Sequence, residues 1–479
     1  MQRNSAESGV RTGGNPGRSG RTHLMATWPV FSRPRTLILA VALPVLLLKL
    51  WIAARTYGTN DIGHWGDFTA AVRSKGPVGI YGVRFERSFY NHPPLMGYVL
   101  WFVNGIQDVG IPYRFTIRAF SSLADVGSAL VLFALLQRRR GVVEASVAGI
   151  LIAASPLLFV VSGFHGNTDP DFVFLTLLAV YLLVDRRLPA WSGAAIALAM
   201  GIKVVPVVVI PALAVYAWRR SSRAFLQFAG GFAVVFALTW GPALLNQFKA
   251  VRTHVIGYNG NGYSLWGFMQ IGHWLGDPWW VPVLGGAGRV LLVLVCALVP
   301  AIAVWRRPDV VLPAVAWAFI VFLGFATTFG VQYLAWPVAL GFLVRFGLAA
   351  VYDLTAGVVL IEVYDRWSGG LPWNRAHASA FTTGEKIALL VPWALLLALA
   401  VRATSMIFRD PSAPPATLGP TGRPLWTGRR NTDRTPEPDN LLHALPVAPD
   451  SPPGAAPRPG TEGNQHIDRD AQCGYGPTW

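Results

Sequence analysis

Runs of about twenty apolar residues, separated by short polar stretches, recur from Thr36 to about residue 405. A helix needs ~20 such residues to cross the ~30 Å hydrocarbon core of a bilayer. Only helices and closed barrels satisfy every backbone polar group in lipid, and barrel strands alternate over about ten residues. The runs here are longer and uniformly apolar. The pattern therefore predicts an all-α fold, a polytopic transmembrane helical bundle.

Basic residues between the runs set the expected direction of each span, because Lys and Arg collect on the cytoplasmic side. A first, uncleaved span over 36–54 leaves a basic N-terminus inside, with Arg3, Arg11, Arg18, Arg21, Arg33 and Arg35. A span over 115–136 ends at the arginines of 138–140, which fits only if residues 92–106 do not cross. After Pro94 that stretch holds about a dozen apolar residues, too few to span. It reads as a juxtamembrane helix in the first outer loop, started by Pro93 and Pro94. Further spans follow over 142–161, to Asp185, in a hairpin over 189–217, over 224–246, to Trp305, and to the outer stretch 330–337. Arg345 interrupts the apolar run 338–364, and a last span covers 386–405. The expected total is about 11 to 13 membrane helices at ~20 residues each. The domains read as a disordered basic N-terminus over 1–35, a transmembrane domain over 36–408, and a disordered Pro/Gly-rich tail over 409–479. The transmembrane domain carries outer loops over 55–114, 162–171 and 247–287.

The formal net charge of +16 would suggest nucleic acid in a soluble protein. Here the basic residues lie between apolar runs and in the tails, so the charge reads as topology and no nucleic-acid partner is expected. Cys296 and Cys473 are far apart and offer neither a disulfide framework nor a metal-binding spacing.

With this threading the unusual polar residues gather at the outer leaflet. They are Asp61, His64, Asp67, Arg84, Glu86, Arg87, His92, His165, Asp169, Asp171, Lys203, His254, His273, Gln332 and Tyr333. Ionisable residues at membrane depth point to function, and this convergence suggests a site for a charged, lipid-linked substrate. Bland readings stand beside it. Asp61 and Asp67 are either site acids or solvated loop acids, and His64 suits a surface partner. Asp169 is a candidate N-cap with Pro170 at the first helical position, and Asp171 would sit in the favourable first turn. Lys203 either snorkels or meets a phosphate from the hairpin's apex. The aromatics of 259–280 suit an interfacial belt.

In order, these segments resemble the GT-C superfamily of membrane glycosyltransferases over about residues 36–340. The elements are NDIGHW with its Asp after the first helix, the spaced pattern ending at Tyr81, YNHPPL, FHGNTDPDF, AIALAMGIKVVPVVVIP and GVQYLAWP. The flavour is closest to bacterial mannosyl- and glucosyltransferase-like branches. GDF at 66–68 also resembles an element of the eukaryotic glucosyltransferases that build the N-glycan precursor. Where the family often carries His or Glu with Lys or Arg in its late element, this chain has Gln332 and Tyr333. The resemblance implies inverting transfer of a hexose from a polyprenyl-phosphate sugar to a glycolipid, a cell-envelope glycan or a protein, in a bacterial plasma membrane, on its extracytoplasmic side. Asp61 is then the expected general base, with Asp67 second. A partly desolvated aspartate at the membrane rim is expected to have a raised pKa. Lys203 would meet the leaving phosphate, helped by Arg84, Arg87 or Arg345. His92, His165 and Asp169 would position sugar or acceptor, with Asp171, Gln332 and Tyr333 beside them. The residues single out no cofactor; the acids leave room for a divalent metal, though no ligand spacing argues for one. The competing class is a lipid-linked sugar flippase or transporter, whose signature is internal repeats and ionisable residues at mid-span. No repeat is evident, and Arg345 is the one charge read at mid-span.

Overall fold

The computed structural model describes residues 33–85, 89–258 and 266–409. Nearly all of both expected tails, Glu86, Arg87, part of the aromatic stretch and Cys473 lie outside them. The named elements among the described residues are all helices, with a single isolated bridge between Gly58 and Arg375. Seven helical stretches are long and apolar enough to cross a membrane.

The chain begins with α1 (Pro34–Arg55), whose outward residues Leu47 and Trp51 are exposed. Exposed apolar faces on a well-packed bundle are what a hydrocarbon surround requires. Then α2 (Asn60–Gly79) and α3 (Pro94–Asp108) pack together at the end where α1 finishes. Helix α3 is the expected juxtamembrane helix, opened by Pro94 and only 15 residues long. Helix α2 was not expected, since the stretch reads as polar. Its buried residues Ile62, Trp65, Phe68, Thr69 and Val72 recur at helical spacing and form a narrow stripe.

Helix α4 (Tyr113–Arg140) is the central rod, packed on α1, α5 (Val142–Ala153) and α7 (Asp169–Val184). Ser155 breaks the next run and caps α6 (Pro156–Val160), accepting from the Leu158 N–H at 3.0 Å. Helix α6 then widens into a π turn over Val161–His165. The expected outer loop of 162–171 is therefore shorter, because helix continues to His165 and resumes at Asp169. The hairpin is α8 (Pro189–Ile202) and α9 (Ile210–Arg220), turning at Lys203 as expected. Helix α8 sits so close to α10 (Ser222–Ala250) that a Cβ on Gly193 would lie 2.0 Å from the Phe228 carbonyl oxygen. Small residues give membrane helices this approach.

Helix α10 runs into a second π turn, Val251–Ile256. Short helices α11 (Gly267–Trp274) and α12 (Trp280–Gly285) precede α13 (Ala287–Arg306), so the described residues of the loop expected over 247–287 are largely helical. Trp266, expected among belt aromatics, is buried, stacks on Phe329 and donates to the Leu323 carbonyl at 2.7 Å. After α14 (Val311–Gly324) comes the very short α15 (Trp336–Gly341), then α16 (Phe346–Ser368) and α17 (Thr383–Phe408).

The interruption at Arg345 is a true helix break. Arg140 donates to the carbonyls of Phe342 and Leu343, both at 2.8 Å, and so ties this break to the end of α4. Arg139 pairs with Asp185 at 2.6 Å at the same end, and Arg307 donates to the carbonyl of Arg409. This end of the bundle thus carries a dense group of arginines, while Arg55, Arg73, Arg118 and Arg366 lie toward the other. Arg345 belongs to the dense group and cannot help at a site near α2, contrary to the expectation. Buried charge within the helices lies elsewhere: Lys49 on α1 pairs with Asp125 on α4 at 2.7 Å.

Candidate active site

The end of the bundle opposite this dense group of arginines carries the cluster. Its floor is the π turn and the three residues after it. A π turn spends an extra residue and re-aims the side chains that follow, which is why such turns recur at functional sites. Here Ser162 donates to Asp125 at 2.5 Å and anchors the turn to α4. Thr59 donates to the carbonyl of His165 at 2.9 Å, and the indole of Trp65 to that of Gly166 at 2.9 Å. Gly166 has φ +82°, and a Cβ there would lie 2.2 Å from Ile62 Cδ1, so only glycine fits. Arg118 is wholly buried beneath this turn. It donates to the carbonyls of Ala53 and Thr56 at 2.8 Å, and to Thr56 Oγ1 at 2.9 Å.

Asp61 stands in the first turn of α2, where the helix dipole favours a carboxylate. Its Oδ2 accepts from Asn167 Nδ2 at 3.1 Å and lies 2.9 Å from His165 Nε2. The other ring nitrogen of His165 meets the hydroxyl of Tyr364 on α16. Asp61 is 38% exposed, whereas His165 is 5% exposed, so the chain of groups opens to the outside only at the carboxylate. Burial pushes the Asp61 pKa up. The charge and hydrogen bond of His165, the Asn167 amide and nearby His64 outweigh burial and hold the carboxyl well below its ordinary range. This corrects the expected raised pKa: desolvation is present, but the donors win.

A second group meets it from the hairpin. Lys203 pairs with Asp169, which is wholly buried and accepts from the Trp336 indole at 2.9 Å. The ammonium also lies 4.8 Å from the ring centroid of Tyr333, which stacks on Trp336. Asp169 is the first residue of α7 and Thr168 its N-cap, so the aspartate turns to Lys203 and does not cap the helix. Asp171, in the same first turn of α7, accepts from Ser121 at 2.9 Å. His92 packs on Trp65 with ring centroids 4.5 Å apart. Burial and then the Lys203 charge lower its pKa to about 3, against the pull of Asp61, so its imidazole is neutral at physiological pH.

The structure thus brings together Asp61, His92, His165, Asp169, Lys203 and Tyr333, with Asp171 just behind and Gln332 half-buried on the turn before α15. Asp67 is exposed on another face of α2, and Arg84 is exposed beyond its end; neither bonds to the cluster among the described residues. His254 stacks on Phe89 and His273 pairs with Asp277, each apart from it. Arg87 lies outside the described residues. Asn167 was visible inside FHGNTDPDF but carries no charge to draw notice. Trp336 stood inside GVQYLAWP but without a charge to single it out, and Tyr364 had no signal, since its partner is 199 residues away. Among the described residues, no three His, Cys, Asp or Glu side chains converge as a metal site.

Beside the cluster a cavity of about 540 Å³ runs between α3, α4 and α7. Leu95, Tyr98, Phe102, Phe120, Phe174 and Ile202 make it apolar, with Thr168 and Asp171 its polar members.

Residues 91–241 match the family model of the dolichyl-phosphate-mannose-protein mannosyltransferases. The match supports a membrane glycosyltransferase of the GT-C superfamily. It spans α3 to the middle of α10 and so takes in His92, His165, Asn167, Asp169, Asp171 and Lys203. Asp61, Asp67, Gln332, Tyr333 and Tyr364 fall outside it. No curated protein matches the chain.

Proposed function

We propose that the protein transfers a hexose from a polyprenyl-phosphate-linked donor to a hydroxyl of a glycolipid, cell-envelope glycan or protein, on the extracytoplasmic side of a bacterial plasma membrane. The observation that carries this reading is Asp61: an open carboxylate closing a buried chain of hydrogen-bonded groups, with the Lys203 ammonium in the same cluster. The dense group of arginines at the opposite end supports an extracytoplasmic site by the positive-inside rule.

In this reading the acceptor hydroxyl gives its proton to Asp61 as its oxygen bonds to the anomeric carbon. The bond from that carbon to the phosphate oxygen breaks with inversion, and its electron pair leaves on the polyprenyl phosphate. Lys203 keeps N–H donors beyond its bond to Asp169 and stabilises the departing charge. Neutral His92 and Gln332 hold hydroxyls of sugar or acceptor. The apolar cavity beside Ile202 and Thr168 accommodates the donor's hydrocarbon near its phosphate.

The test is sugar transfer by purified protein in lipid, with radiolabelled polyprenyl-phosphate sugars and a membrane glycolipid extract. Asp61→Asn is expected to cost on the order of 10²–10⁴-fold in rate, with donor binding retained, and Asp67→Asn to be nearly neutral. Loss with Asp67→Asn alone would move the base. A buried ion pair such as Lys49–Asp125 within apolar helices is what a transporter would also carry. No transfer from any donor, together with movement of a lipid-linked sugar between leaflets, would favour the flippase.

A further inference from the structure

The His165 backbone is pinned on both sides. Ser162 is held by Asp125, the His165 carbonyl by Thr59 and the Gly166 carbonyl by Trp65. What the backbone leaves undecided is the proton on the ring. An imidazole facing a carboxylate helps to keep it ionised only if the nitrogen on that side carries hydrogen. A neutral ring has one proton and two nitrogens, so something on the far side must choose. Tyr364 is the group there. It is fully buried, and its hydroxyl meets Nδ1 of His165, its one hydrogen-bond partner among the described residues. Phe164 and Trp373 pack around its ring and hold the hydroxyl in place.

We propose that Tyr364 is a positioning residue that keeps the Nε2 proton of His165 on Asp61. When the ring is neutral, the tyrosine O–H donates into Nδ1 and the single ring proton stays on Nε2. When the ring is charged, the same oxygen accepts from Nδ1–H and Nε2–H is unchanged. In both states Asp61 faces a donor. The proposal rests on Asp61 as the base for its kinetic consequence, but not for the proton's position.

Two measurements test it. Tyr364→Phe is expected to lower kcat roughly 10- to 100-fold, by analogy with the loss of a partner that orients a metal-bound histidine, with the acceptor KM unchanged. In a His165→Gln background the glutamine amide presents a donor in place of Nε2–H with no tautomer to choose, so Tyr364→Phe should then cost nothing further. An equal loss in both backgrounds would reduce Tyr364 to packing and overturn the proposal. Nitrogen NMR of isotope-labelled histidine, with His165 assigned through His165→Gln, reads the proton directly. A neutral ring protonated on Nδ1 in the unmutated protein would also overturn it, and Tyr364→Phe should make that form appear. The spectrum decides the matter even if no transfer reaction is found.

Discussion

A half-buried carboxylate stays ionised only where donors meet its oxygens. Asp61 has two, from His165 and Asn167. The sequence showed that an acid stood at this rim, and burial alone predicted a raised pKa. The sign reversed because a histidine 104 residues away and its neighbouring amide converge on one oxygen, which no local pattern displays. The consequence for pH follows directly. A base must be deprotonated, and Asp61 is held below the usual aspartate value of 3.8. Its protonation should therefore not limit the rate of the unmutated protein until pH falls below the ordinary carboxylate range. His165→Ala removes the largest lowering influence and leaves burial to dominate. The acid limb of its rate profile should rise toward neutral pH, and an unmoved limb would mean that another group titrates there.

At the scale of elements, the long apolar helices were legible, as were the hairpin turning at Lys203 and α3, announced by its two prolines. Helix α2 was not, because a narrow buried stripe among polar residues looks like loop. The π turn also escaped, since its widening depends on what it grips. That grip is the Lys49–Asp125 pair with Ser162, joining α1, α4 and the turn. Breaking a buried pair by removing one partner typically costs about 3–5 kcal/mol, whereas replacing both with apolar groups is often neutral. Asp125→Ala should thus lower the thermal midpoint of detergent-solubilised protein well below that of the Lys49→Met/Asp125→Leu double variant. If the two variants melt together, the pair holds nothing that packing does not. Transfer should remain impaired in the stable double variant, because Ser162 loses its acceptor and the turn its anchor.

For the molecule as a whole, the arginine-rich end was readable from the loops, because the turns at 138–140, 185–187, 218–220 and 305–307 all fall there. What the loops could not disclose was the break at Arg345, whose place depends on Arg140 reaching the carbonyls of Phe342 and Leu343. Sidedness can be measured. In a background with Cys296→Ala and Cys473→Ser, a membrane-impermeant maleimide should label Asp67→Cys in intact cells. Arg187→Cys, exposed at the arginine-rich end, should react only after permeabilisation. The reverse pattern would turn the protein over in its membrane and put the site inside.

Arg118 gives this end of the bundle a character that its surface does not reveal. Its guanidinium donates to a hydroxyl and to backbone carbonyls, with no carboxylate paired to it among the described residues. A cation so placed keeps its charge, and the protein interior screens it far less than salt water screens a surface lysine. The floor under His165 and Asp61 is therefore a fixed source of positive potential that no side-chain motion can withdraw. An anionic headgroup arriving here meets an attraction already built into the scaffold, before any residue closes on it.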